Sequence, residues 1–149
     1  MQTFKIVRSG RVKEDSPQYL GSETVYSLLA KEMRSLDREH FIVLHLDLKN
    51  RLLARETISI GSLNETIVHP REVFKAAVIN GSAALLLAHN HPSGNPLPSN
   101  NDINVTARLE AAGEILGIRI YDHLIFGDRG YYSFAAAKQG KKQNHTKEV

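Results

Sequence analysis

Apolar and polar positions along the chain change their period several times, and each change predicts an element. Residues 1–20 mix short apolar pairs with charges and predict one edge strand and a loop. From Ser22, the segment SETVYSLLAKEMRSLD places Val25, Leu28, Leu29, Met33 and Leu36 at helical spacing, with Ser22 as the N-cap. FIVLHLDL reads as a strand, Lys49-Asn50 as a turn, and RLLARETISI alternates as a second strand, so the two form a hairpin. Pro70 opens a helix where its missing N–H is not needed, and REVFKAAVIN carries that helix to Gly81. AALLLAH is apolar on both faces and reads as a fully buried strand. After a Pro/Gly-rich loop a helix runs from about Asn101 to Gly117, with Ile103, Leu109, Ala112, Ile115 and Leu116 on or near its inner face. IRIYDHLIF is a further strand, GDRG a turn, and YYSFAAA a final short strand or cap. Together these elements predict a single-domain α/β fold, a mixed β-sheet flanked by helices.

The same pattern divides the chain into an N-terminal segment (1–21), one folded domain (22–137) and a basic tail (138–149). KQGKKQNHTKEV, which makes up the tail, has no hydrophobic period and is expected to be disordered. At 149 residues the chain is long enough for one core. No apolar run approaches a membrane span and the N-terminus has no secretory pattern, so a cytoplasmic protein without a membrane partner is expected. The formal charge of +3 comes without a clustered basic face, which leaves a nucleic-acid partner unsupported. Cysteine is absent, so disulfides and thiolate metal sites are excluded and a transition-metal site must use His and carboxylates.

That restriction turns attention to HNHPSGNPLPSNND, residues 89–102. His89 and His91 lie at i and i+2 as a buried strand ends, so both imidazoles leave one face. Asp102 falls in the first turn of the next helix, beyond a loop that Pro92, Pro96 and Pro98 restrict. Singly, each residue has an ordinary reading: the histidines face a loop, Ser99 is an N-cap, and Asp102 answers the helix dipole. As a set they offer three ligands to one ion and leave a fourth tetrahedral position for water, the pattern of a catalytic zinc.

H-x-H, seven residues, Ser, two residues, Asp resembles the JAMM motif of MPN-domain metalloproteases. The segments HFIVLHLDLKNRLL, VHPREVFKAAV, HNHPSGNPLPSNND and LGIRIYDHLIF resemble the bacterial RadC-like branch, over roughly residues 36–135. This resemblance implies cytidine-deaminase-like α-β-α layers and one Zn2+ per chain on His89, His91 and Asp102. It also implies hydrolysis of a peptide or protein substrate. Ser99 matches the motif serine, which supports the tetrahedral intermediate's oxygen or orients the water. Glu39 matches the general base that takes a proton from the zinc-activated water and returns it to the leaving amine. Zinc lowers the pKa of such a water from about 15.7 towards roughly 7, within reach of a carboxylate. Many RadC-like proteins carry an N-terminal helix-hairpin-helix region; the chain is too short to hold one, and the stand-alone form is expected.

On residues alone Glu56, in RLLARETIS, is the rival base. His69 is expected to start a helix, His45 to be packed or paired, His123 to be structural, and Asn90 to tie down the loop. The non-enzymatic alternative is a zinc-containing binding module. An HNH-nuclease reading of His89-Asn90-His91 fails because those sites spread over a ββα unit. A zinc nucleoside deaminase would need cysteines that the chain lacks.

Overall fold

The computed structural model describes residues 16–61 and 68–145, with 141–145 as backbone alone. Expectations for 1–15 and 146–149 lie outside the described residues. Helix α1 (Ser22–Ser35) precedes the hairpin β1 (His40–Leu46) and β2 (Leu52–Ile60). Then come α2 (Pro70–Asn80), β3 (Ala84–Asn90), α3 (Asn100–Leu116), β4 (Arg119–Phe126), β5 (Tyr131–Ser133) and α4 (Phe134–His145). The strands form one sheet in the order β2-β1-β3-β4-β5. β3 and β4 are parallel, joined through α3, and the other neighbours are antiparallel. This is the expected mixed sheet flanked by helices.

Central position explains the unbroken apolar runs of β1 and β3, which have helices on both faces. Phe41, Val43, Leu85 and Leu87 point one way, onto Val73, Phe74 and Ala77 of α2 and Val105 and Leu109 of α3. Ile42, Leu44, Leu86 and Ala88 point the other way, onto Val25, Leu29, Ala30 and Met33 of α1. Each such Leu, Ile or Phe contributes roughly 1.5–3 kcal/mol by leaving water. The hairpin turn closes on Asp47, whose Oδ1 accepts from the N–H groups of Lys49 and Arg51, with Asn50 left-handed at φ 59°. His69 caps α2 by accepting from the Arg71 N–H, and Gly81 ends it in the left-handed conformation.

Three local expectations need correction. The N-cap of α1 is Gly21, not Ser22, whose hydroxyl pairs instead with the Tyr131 hydroxyl at 3.1 Å. The inner face of α3 is Asp102, Val105, Thr106, Leu109 and Gly113, whereas Ile103, Ile115 and Leu116 are exposed. Close approach decides that face at its C-terminal end: a Cβ on Gly113 would strike the Ile118 carbonyl and meet Phe74 Cζ at 3.3 Å. The basic tail is helical through His145 as part of α4. Ser133 caps this helix by accepting from the Ala136 N–H, Asp122 accepts from the Ala135 N–H, and Lys138 pairs with Glu110 at 2.7 Å. Among the described residues, no helix is long and apolar enough to cross a membrane.

Candidate metal centre

His89 stands near the end of β3 on the face that carries Leu87, and is 1% exposed. The next residue but one, His91, lies just past the strand, yet its N–H still donates to the Phe126 carbonyl at 2.9 Å, which continues the parallel ladder. The two rings therefore stay on one side, with centroids 4.9 Å apart. From His91 the chain turns back on itself: Gly94 N–H donates to the His91 carbonyl, and the Gly94 carbonyl accepts from the Asp128 N–H. The loop then enters α3 through Ser99. Ser99 Oγ accepts from the Asp102 N–H at 3.1 Å, and Asp102 Oδ2 accepts from the Ser99 N–H at 2.7 Å, a reciprocal capping box. That cap uses the hydroxyl as an acceptor and leaves its proton free to donate. It also aims the Asp102 carboxylate back at the histidines.

Gly94 suits this route because its backbone conformation is one that other residues rarely adopt. It sits at φ +89°, and a Cβ there would run into the Asp128 carboxylate. Gly94→Ala should cost about 1–3 kcal/mol from the backbone strain alone, and also displace His91. A chemical denaturation midpoint measured on the metal-free protein checks this; an unchanged midpoint would show that the loop relaxes freely.

His89 Nε2 lies 3.0 Å from His91 Nε2 and 3.2 Å from Asp102 Oδ1, and His91 Nε2 lies 3.1 Å from Asp102 Oδ2. Each ring thus faces a different oxygen of the Asp102 carboxylate, and one ligand atom from each of the three residues lies within 4.8 Å of the others. Zinc with bonds of 2.0–2.1 Å at tetrahedral angles holds its ligand atoms roughly 3.3 Å apart, so the group is compact enough to close on one such ion. His91 Nδ1 faces the Asn95 carbonyl at 2.7 Å. A carbonyl only accepts, so Nδ1 carries the hydrogen and the Nε2 lone pair is left for the cluster. A proton and a divalent cation compete for that lone pair. Without metal, the Asp102 hydrogen bond raises the proton affinity of His91 above its ordinary value, against the effect of burial. Burial pushes the Asp102 carboxyl up, but hydrogen bonds from His89, His91 and Ser99 outweigh it and hold the carboxyl well below the usual range.

Around this trio the structure assigns most of the remaining polar residues. Glu39 is half-buried just before β1, and its charge reaches His91 and raises that ring's proton affinity. Strand parity puts Glu39 on the face of Phe41, which pairs with His89 in register. Asn90, 2% exposed, ties down the segment around Glu39 instead of its own loop. Its Oδ1 accepts from the His40 N–H at 2.8 Å and its Nδ2 donates to the Arg38 carbonyl at 3.0 Å. Glu56 is held farther along the sheet, 3.6 Å from His45 Nε2, and His45 Nδ1 meets Ser82 Oγ at 2.9 Å. His69, as expected, starts a helix.

Two residues carry more than the sequence showed. His123, fully buried, meets His89 Nδ1 through its Nε2 at 2.7 Å. Burial pushes its proton affinity well below the ordinary value. Thr106, not singled out in the sequence, sits between the His123 ring and the Asp102 carbonyl. The signal for it was present: Thr106 follows Asp102 by one helical turn, and a polar pair Asp122-His123 interrupts an otherwise apolar strand. The Asp122 carboxyl, raised by burial, accepts from the His123 N–H, Ser133 Oγ and the Ala135 N–H, which joins β4 to the start of α4.

The RadC-like JAB domain family matches residues 19–141. The chain belongs to the RadC-like JAB family. A UPF0758 protein of Caldanaerobacter subterraneus subsp. tengcongensis is 55% identical over 120 residues, which is 75% of this chain and 52% of the relative. A UPF0758 protein of Desulforamulus reducens is 55% identical over 111 residues, 74% of this chain and 49% of its own. One from Methanococcoides burtonii is 49% identical over 132 residues, 87% of this chain and 58% of its own. The chain spans about half the length of these curated relatives. Membership of the RadC-like JAB family points to a JAMM-type metallohydrolase, and His89, His91 and Asp102 form a group fit to hold a metal ion.

Proposed function

We propose that this RadC-like domain is a zinc-dependent hydrolase of peptide or isopeptide bonds, with His89, His91 and Asp102 as ligands and Glu39 as general base. One observation carries the reading: His89, His91 and Asp102 each bring a ligand atom within 4.8 Å of the other two, and the His91 ring is turned by an outside carbonyl so that its lone pair faces inward. Bound there, zinc supplies Lewis acidity towards a water and a substrate carbonyl. Glu39 would accept the proton released from the water and return it to the leaving amine, a role supported by its charge reaching the His91 ring. The unspent Ser99 hydroxyl proton is available to the carbonyl oxygen as that oxygen gains charge. Asn90 steadies the backbone on both sides of Glu39, which supports a fixed base.

The test incubates the zinc-loaded domain with a pool of denatured-protein peptides and isopeptide-linked conjugates, and reads new termini by mass spectrometry. New termini that vanish when a chelator is added are expected. A zinc-loaded domain that releases none from either pool would overturn the hydrolase reading and leave a metal-holding binding module.

A further inference from the structure

The residues behind the metal centre form a chain of hydrogen bonds whose directions can be worked out one after another. Thr106 Oγ1 lies 2.6 Å from the Asp102 carbonyl oxygen, four residues earlier on α3, and 2.6 Å from His123 Nδ1. A carbonyl has no hydrogen, so the hydroxyl must donate to it. That leaves only hydroxyl lone pairs for His123, so Nδ1 carries the hydrogen. The wholly buried ring then presents a bare Nε2, 2.7 Å from His89 Nδ1. His89 must donate from Nδ1, so Nε2, which faces His91 and Asp102, is the nitrogen left to bind a metal once the metal displaces the hydrogen it shares with Asp102.

We propose that Thr106 and His123 are positioning residues that lock His89 in the one tautomer able to bind a metal. The proposal rests on the metal-site reading above. The direction of the chain starts at the Asp102 carbonyl and ends at the atom facing the Asp102 carboxylate, so one residue supplies both a ligand and the reference that orients another ligand. Sheet geometry brings His123 to this place: a register shift skips Tyr121, so that Leu85 pairs with Ile120 but Leu86 with Asp122. Beyond the shift His123 stands opposite Leu87 and shares its face with the site. Phe134 stacks on the ring at a centroid distance of 5.0 Å and Phe41 meets it edge-on at 5.5 Å, which prevents it from turning. A neutral imidazole as the outer partner is chemically distinct from the carboxylate or carbonyl that usually fills this role, because it can itself exist in two tautomers. Thr106 removes that freedom.

The experiment measures zinc affinity by competition with a chelator for the wild type, Thr106→Val and Thr106→Ser, beside nitrogen NMR of the zinc-loaded wild type. Thr106→Val keeps the shape but removes the acceptor, so His123 is free to place its hydrogen on Nε2. His89 must then give up its own Nδ1 hydrogen and hold one on the metal-binding nitrogen. A 10–100-fold loss of zinc affinity is expected for Thr106→Val. Thr106→Ser should retain wild-type affinity, which separates loss of the hydroxyl from damage to packing. NMR should find hydrogen on Nδ1 of both His123 and His89. Equal affinity in the wild type and Thr106→Val, or hydrogen on His123 Nε2, would overturn this proposal while leaving the metal site intact. A wild type that binds no zinc would overturn both.

Discussion

Purified with zinc, the domain should carry about one ion per chain, and His89→Ala or Asp102→Ala should remove it. The reason is a ligand count with no reserve. Among the described residues, His89, His91 and Asp102 are the one group of three with suitable geometry. A structural zinc site is worth about 10–16 kcal/mol over four ligands, so losing one ligand costs roughly 2.5–4 kcal/mol, or two to three orders of magnitude in affinity. Asp102→Ala does two things at once, because it also removes the acceptor for the Ser99 N–H. Asp102→Asn separates them: the amide oxygen can still close the cap, but it is a poor ligand. Elemental mass spectrometry gives the metal content, and a thermal melt of the metal-free proteins gives the cost of the cap. Full zinc content in both Asp102 variants would show that the metal binds elsewhere.

Acidity tests the same site. The His91 proton affinity is raised, so in the metal-free protein that interaction stabilises the fold below the ring's ordinary value and is lost as pH rises through the raised one. Asp102 is lowered, so its contribution is present above the usual carboxylate range and is lost on acidification. Stability from the cluster is thus greatest between the two. Because zinc displaces the proton from His91, metal affinity should weaken as pH falls through that ring's raised value.

How much of this could be read from the sequence differs between elements, for physical reasons. The hairpin, α2 and the buried β3 were legible because local rules and tertiary packing agree there: Pro70 at a helix start, Gly81 at its end, apolar runs at the sheet centre. The group of His89, His91 and Asp102 was legible as a set because its spacing is short and unusual. The inner face of α3 was not, because Asp102 and Thr106 occupy positions that apolar periodicity assigns to hydrophobic residues, and Ile103 and Ile115 fall outside. Buried, hydrogen-bonded polar residues displaced the pattern. The α4 helix was missed because its cap comes from Ser133 and from Asp122, eleven residues earlier, and not from a local apolar period. The role of His123 was hidden for a related reason: its partners Thr106 and His89 are brought to it by the crossover and by the skipped Tyr121, neither of which leaves a local mark.

Glu39→Gln should keep its zinc and lose turnover by roughly 10²–10⁴-fold, the usual contribution of a general base. The substitution preserves size, and the hydrogen bond that holds this residue's backbone, from the Gly61 N–H to its carbonyl, does not involve the side chain. Metal content therefore stays constant while proton transfer is lost, so the defect should fall on kcat rather than on KM. Glu56→Gln is the control that decides between the two glutamates. Glu56 lies on the same sheet, but its carboxylate is directed at His45, which pairs with Leu85 in register while Phe41 pairs with His89. Its replacement should leave turnover unchanged at temperatures where the fold is intact. Asn90→Ala provides a third comparison, since it retains the Glu39 carboxylate but frees the backbone at Arg38 and His40. Turnover intermediate between the wild type and Glu39→Gln, at full zinc content, would show that a base must be held as well as present. A fully active Glu39→Gln beside an inactive, folded Glu56→Gln would exchange the roles of the two residues.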